Sequence, residues 1–139
     1  MPLMPKRSKH RKFHRRKTTG KTGRGQTIAF GEYGLKSVGG GYVTHTQIEA
    51  CRVAINRAMK RKGKMWIRIF PDLSRTTKPL ETRMGKGKSE PEYYAAVVSA
   101  GMVLYEIGGV SEDVARRALA RVAHKMPFRC RFITRRHHL

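Results

Sequence analysis

Two stretches of the chain carry the residue types of a phosphate-binding loop: Gly20-Lys21-Thr22 and Gly87-Lys88-Ser89. Such a loop cradles phosphates with backbone amides and needs another glycine five residues before the last one. Arg15 and Thr82 occupy those places. Neither stretch follows a convincing strand and enters a helix, so neither is read as a nucleotide site. The carboxylates suggest no catalytic pair. Glu112 and Asp113 fit the start of a helix, Glu90 and Glu92 flank Pro91, and Glu49 fits a helix cap, and no carboxylate has an obvious acid–base role. His10 and His14, four apart, and His137-His138 are of metal-ligating type but read more simply as partner-facing or terminal groups. Cys51 falls on the apolar face of a helix, a poor place for a nucleophile. With Cys130 it forms no CxxC pattern, so neither zinc nor a disulfide framework is indicated. No catalytic residue, metal or cofactor is assigned, and an enzyme, which would need one, is disfavoured.

The chemistry that the chain does carry is charge. Its 139 residues hold 31 Lys and Arg against nine Asp and Glu, a formal charge of +22. A compact body with that excess repels itself, so a polyanionic partner is expected. The bases are clustered. Met1 to Gly31 contains ten and no acid, and eight follow Asp113. Arg57, Lys60, Arg61, Lys62, Lys64 and Arg68 form another group, and Arg75, Lys78, Arg83, Lys86 and Lys88 a fourth among glycines and prolines. A surface that merely confers solubility mixes signs.

An anionic membrane would call for a basic helix with bulky apolar residues opposite, which the N-terminal segment lacks. No apolar run approaches the ~18 residues of a membrane span, and the opening is not of the secretory kind. The chain therefore reads as intracellular, soluble and bound to nucleic acid. Asn56 and Arg57 are the base readers that a recognition helix could offer, but that helix needs its apolar face for the core, and the chain shows no aromatic strand motif of the RRM type, no KH-type loop and no zinc finger. Shape and phosphate recognition of folded RNA is preferred. Neutralising about ten phosphates gives a slope of log K against log salt near −7 to −9. Tyr33, Tyr42 and Phe13, beside glycines or bases, are the candidates for stacking on bases, whereas Phe128, Phe132, Trp66 and Phe70 read as strand residues.

These groups need a scaffold. Residues 1–25 form an extended tail ending in Gly20, Gly23 and Gly25. Thr27 to Phe30 is a strand candidate, and Gly39-Gly40-Gly41 a turn before Tyr42-Val43-Thr44. Thr46-Gln47-Ile48-Glu49 has the form of a capping box and predicts a helix of about 16 residues ended by Gly63. Ile48, Cys51, Ile55, Ala58 and Met59 share its apolar face. Met65 to Phe70, Tyr93 to Val98 and Met102 to Ile107 predict strands. Ser111 can cap a second helix that Pro127 stops, and Phe128 to Phe132 alternates apolar with arginine. Helices and strands mix without strict alternation, giving an α+β class in one domain, 1–139. Residues 75–91 have no period, and a basic loop of that length in a small domain is expected to be functional. Its tip could project about 25 Å, and the tail could likewise reach past the body.

Pro5-Lys6-Arg7, Arg11-Lys12, Arg24-Gly25 and Phe30-Gly31-Glu32-Tyr33-Gly34-Leu35 resemble the opening of the bacterial large-subunit ribosomal protein sixteen family, shared with archaeal and eukaryotic protein ten. Gln47-Ile48-Glu49-Ala50 with Arg52, Trp66-Ile67-Arg68-Ile69-Phe70-Pro71-Asp72, Lys78-Pro79, Arg83-Met84-Gly85-Lys86-Gly87-Lys88 and Lys125-Met126-Pro127 are similar to that family as well. Ser89-Glu90, Tyr94, Cys51 and His10 depart from its usual residues. The resemblance implies an α/β-hammerhead type of fold, two helices on a mixed sheet, and a non-catalytic place in the large subunit near the aminoacyl-tRNA site. Its implied partners are 23S rRNA, A-site tRNA and neighbouring large-subunit proteins, with no membrane and no homo-oligomer. It also implies a part in late subunit assembly, in the cytoplasm or an organelle.

On charge and resemblance together, the rRNA-facing residues are Lys6, Arg7, Lys9, Arg11, Lys12, Arg15, Arg16, Lys21 and Arg24 in the tail. Arg57, Lys60, Arg61, Arg68, Arg75, Lys78, Arg129 and Arg131 complete the set. Arg83, Met84, Gly85, Lys86, Gly87 and Lys88 would lie toward the tRNA and the peptidyl transferase region. The alternative is a free RNA chaperone or tRNA-binding factor.

Overall fold

The computed structural model describes residues 4–135. Its elements run β1 (Tyr33–Ser37), β2 (Gly41–Thr44), α1 (His45–Ala58), β3 (Lys64–Ile67), β4 (Leu73–Thr76), β5 (Pro91–Val98), β6 (Val103–Gly108), α2 (Glu112–Ala123) and β7 (Cys130–Thr134). The α+β class is the one observed. The strands pair antiparallel in two sheets, one in the order β3-β6-β1-β7 and the other β2-β5-β4. No described helix is long and apolar enough to cross a membrane.

Both helices bury their apolar faces in one core. Ile48, Cys51 and Ile55 of α1 and Ala118, Leu119 and Val122 of α2 meet Leu35, Tyr105 and Ile107 of the four-stranded sheet. The Tyr105 hydroxyl donates to the Ile48 carbonyl oxygen at 3.3 Å, tying sheet to helix. Every residue of β6 is buried, because the helices cover one face of its sheet and the chain before β1 lies on the other. A Cβ on Gly34 would sit 3.2 Å from Cγ1 of Ile28, so glycine lets that strap lie close.

Several local expectations shift. Thr27 to Phe30 is not a strand; its amides turn inward to a carboxylate, described below, instead of joining a ladder. The capping box exists two residues earlier. Thr44 accepts from the Gln47 amide at 3.2 Å, and Gln47 Oε1 accepts from the Thr44 amide at 3.0 Å. Thr46-Glu49 has the same spacing, but Thr44 ends β2 in extended backbone, the conformation a cap requires. Glu49 instead pairs with Arg52 one turn on. The helix stops at Ala58, ahead of Gly63, through left-handed Lys60 (φ 51°) and Arg61 (φ 64°). Ser111 holds the N-cap place of α2 without a side-chain bond to it. Arg75 and Thr76 belong to β4, which the sequence reading did not foresee, and Pro91 opens β5, so the stretch without strand pairing is 77–90.

Candidate nucleic-acid interface

The tail is stitched to the body by its own backbone. Ser74 Oγ donates to the Arg11 carbonyl at 2.6 Å, the Tyr42 hydroxyl to the carbonyl of Arg16, and the Thr22 amide to Ala100 at 2.9 Å. Arg16 pairs with Asp72 at 3.1 Å. At Gly40 any Cβ would run into the Thr18 carbonyl. Backbone carbonyls and amides, with the Arg16 side chain, thus hold the segment down, while the side chains of Lys6, Arg7, Lys9, Arg11, Arg15, Lys21 and Arg24 face solvent, and those of Lys12 and Arg16 are exposed but engaged with the body. A tail anchored this way presents its cations at fixed positions, which lowers the conformational entropy lost on binding.

The tail also meets the loop. Lys12 Nζ donates to the Lys88 carbonyl at 2.7 Å, and Lys88 Nζ donates in turn to the carbonyl of Phe13. The two arms read separately from composition are therefore one surface on the side of β4.

Beyond that junction the loop leaves the body. Residues 77–88 are all exposed, with Leu80 and Met84 as accessible as in an isolated chain. Lys78 Nζ reaches back to the Gly85 carbonyl at 3.2 Å. Gly85, Lys86 and Gly87 follow one another at φ 105°, 57° and 76°. Three left-handed residues in a row turn the backbone sharply, and two glycines remove the steric cost at their positions. Arg83 sits just before this turn with its side chain free to solvent.

Arg57, Lys60 and Arg61 cluster, exposed, at the end of α1, and Arg129 and Arg131 project at the free edge formed by β7. Arg68 and Arg75 are engaged within the protein. Arg75 lies over the Tyr42 ring at 4.6 Å, and Arg68 over Phe30 at 5.2 Å. Tyr33 stacks on Phe132 at 5.8 Å. Two of the three residues proposed for base stacking, Tyr33 and Tyr42, thus already hold partners of their own.

Arg68 has a second partner that composition did not single out. Glu106, in the middle of β6, has no solvent exposure and pairs with Arg68. The same carboxylate accepts from the amides of Ala29 (3.1 Å), Phe30 (2.6 Å) and Gly31 (2.9 Å). Burial pushes its pKa up, but the three amides and the guanidinium together outweigh that and hold it below the ordinary carboxylate value. A lone acid inside the apolar run Val103–Gly108 was the available signal, since a charge in a fully buried strand must be paired. Its amide donors lie over seventy residues away and Arg68 lies 38 away, so spacing could not name them.

No group of three His, Cys, Asp or Glu positioned to hold a metal occurs among the described residues. His137 and His138 lie outside them. Burial pushes the Cys51 thiol up to about 11, and the same cause, with Cys51 nearby, raises Cys130 to about 11. At pH 8 about one thiol in a thousand would be thiolate. Native protein is accordingly expected to resist iodoacetamide at both cysteines over hours, as read by intact mass. Fast modification before unfolding would contradict this placement.

The site as a whole is an extended basic surface without a catalytic constellation among the described residues. Its signs, arms and turns suit a large folded polyanion. Residues 5–133 match a family model described as ribosomal protein L16p/L10e.

Proposed function

This chain belongs to the ribosomal protein L16p/L10e family, whose members are structural proteins of the large ribosomal subunit, and from that membership we propose that it binds 23S rRNA near the A site. In this reading it helps to hold A-site tRNA and to complete subunit assembly, and it acts by positioning RNA without catalysing a reaction. The observation that carries the proposal is the pairing of an anchored basic tail with a protruding basic loop joined at Lys12 and Lys88. Cations held at fixed positions lower the cost of bringing RNA phosphates together, and a loop beyond the body reaches segments that the body cannot. The tail, the end of α1 and β7 supply the rRNA-facing bases. The loop from Arg83 to Lys88 lies toward tRNA and the peptidyl transferase region. Arg83 suits bidentate phosphate contact through its planar fork, and Gly85 and Gly87 let backbone approach a sugar-phosphate chain closely.

Sedimentation tests the reading. In a lysate at moderate salt the protein should co-migrate with the large subunit in stoichiometric amount. A free chaperone or tRNA-binding factor would stay near the top of the gradient, and that result would overturn the proposal.

A further inference from the structure

The fold assembles a cationic groove that the spacing of bases along the chain does not reveal. Its volume is about 1000 Å³, and Lys21, Lys36, Arg116 and Arg131 line it, from the tail, β1, α2 and β7 in turn. No acid lines it. Lys36 and Arg131 stand directly opposite each other across the β1–β7 ladder, so their side chains leave the same face of the sheet. Like charges in that relation destabilise a sheet. Among the described residues neither meets an acid within ion-pair distance, and nor does Lys21. Arg116, at the rim, is paired with Glu112 at 2.7 Å and lies over the Phe132 ring at 4.5 Å.

A blander explanation covers part of this. Charged side chains on an edge strand prevent unwanted strand pairing, which accounts for Arg131. It does not account for Lys36, because β1 is an interior strand flanked by β6 and β7. The lysine is also built in. Its Cε lies 3.8 Å from where a Cβ of Gly101 would be, beside the Thr22 methyl, so the stem runs along the Gly101 turn, and the residue lines the groove half-buried. An interior strand that keeps an unneutralised cation opposite another is arranged for an anion from outside.

We infer that this groove is a phosphodiester-binding channel for a single run of rRNA backbone, with Lys21, Lys36 and Arg131 on successive phosphates. The inference rests on the rRNA-binding reading above and deepens it: Lys21 and Arg131, already among the rRNA-facing bases, are joined by Lys36 in one groove away from the loop. Single-stranded backbone suits the groove better than a duplex, since its lining mixes cations with polar and apolar side chains such as Gln26, Val38 and Ile133, which can meet exposed sugars and bases as well as phosphates.

The test uses the full chain and purified large-subunit rRNA, with filter binding from 50 to 400 mM salt. Lys36→Gln/Arg131→Gln should flatten the slope of log K against log salt by about 1.4 to 1.8. It should also weaken binding about tenfold at 0.1 M salt. The same variant should melt at the wild-type temperature or above it, because removing opposed like charges relieves the free protein. Weaker binding from a more stable protein is not what loss of a purely structural contact produces. Lys64→Gln/Lys125→Gln, which removes equal charge outside the groove, should change the slope less. In a second measurement, limiting acetylation followed by peptide mass spectrometry should show Lys36 protected at least fivefold by the RNA. An unchanged slope in the groove variant, or unprotected Lys36 in a complex that forms, overturns the channel and leaves rRNA binding standing. Failure of the wild type to bind this RNA overturns both.

Discussion

Glu106→Gln should lower the melting temperature of the free protein by about 10–20 °C, corresponding to about 3–5 kcal/mol for breaking a buried ion pair. The substitution keeps shape and removes charge. Three backbone amides and the Arg68 guanidinium then face a side chain with a single acceptor oxygen and an amide that is itself a donor. Arg68 is left three-quarters buried beside a neutral group, and the strap from Ile28 to Gly31 loses what holds it over β6. Thermal unfolding followed by circular dichroism reads the effect. A fall under about 3 °C would show that the carboxylate is not what fixes the strap.

The pH dependence separates this cause from simple packing loss. The folded pKa of Glu106 lies below its unfolded value near 4.5. Its contribution is therefore complete above about pH 4.5 and disappears as pH falls through the lower folded value. Wild type and Glu106→Gln should differ most near neutrality and converge in acid. Gly31→Ala supplies an independent check. A Cβ there would lie 2.6 Å from the Ile107 carbonyl oxygen, so the strap must lift away from Glu106 while the carboxylate itself remains. It should destabilise through the same hub and show the same acid convergence.

Arg83→Ala should leave the free protein as stable as wild type within about 0.5 kcal/mol, since its side chain is exposed within the exposed stretch 77–88. Large subunits reconstituted with it should nevertheless bind A-site tRNA about tenfold more weakly, the scale of one lost charged hydrogen-bond pair. Lys6→Ala, in a tail with many other cations, should change binding by less than about twofold. The contrast matters more than either value. Equal and negligible effects from both substitutions would remove any special role for the loop. A large loss of stability in Arg83→Ala would mean that the loop is not free of the body as described.

How much of this was legible beforehand varied from element to element. Charge per residue is a property of composition, so the polyanionic partner could be read without knowing any contact. The two helices declared themselves because Ile48, Cys51 and Ile55, and Ala118, Leu119 and Val122, recur at helical spacing on buried faces. The cap was misplaced by two residues because Thr44 and Thr46 both stand three residues before a Gln or Glu, and only the end of β2 chooses between them. Leu73–Thr76 escaped notice because four residues with one arginine carry no period, and pairing with β5 is what makes them a strand.

Among the basic residues the same division holds. Arg68 and Arg131 are indistinguishable by composition, each alternating with apolar neighbours near a strand. One is neutralised by Glu106, while the other faces Lys36 across a ladder. The sequence alone determined that the chain is strongly cationic, α+β, and equipped with a basic tail and a long glycine-bearing basic loop. The motifs along it sufficed to point to its family. Tertiary structure decided which cations are left for a partner, that tail and loop are joined, and that four distant segments line one groove. Local pattern depends on neighbours a few positions away, whereas the fate of a charge depends on whatever the fold brings within a few ångströms of it.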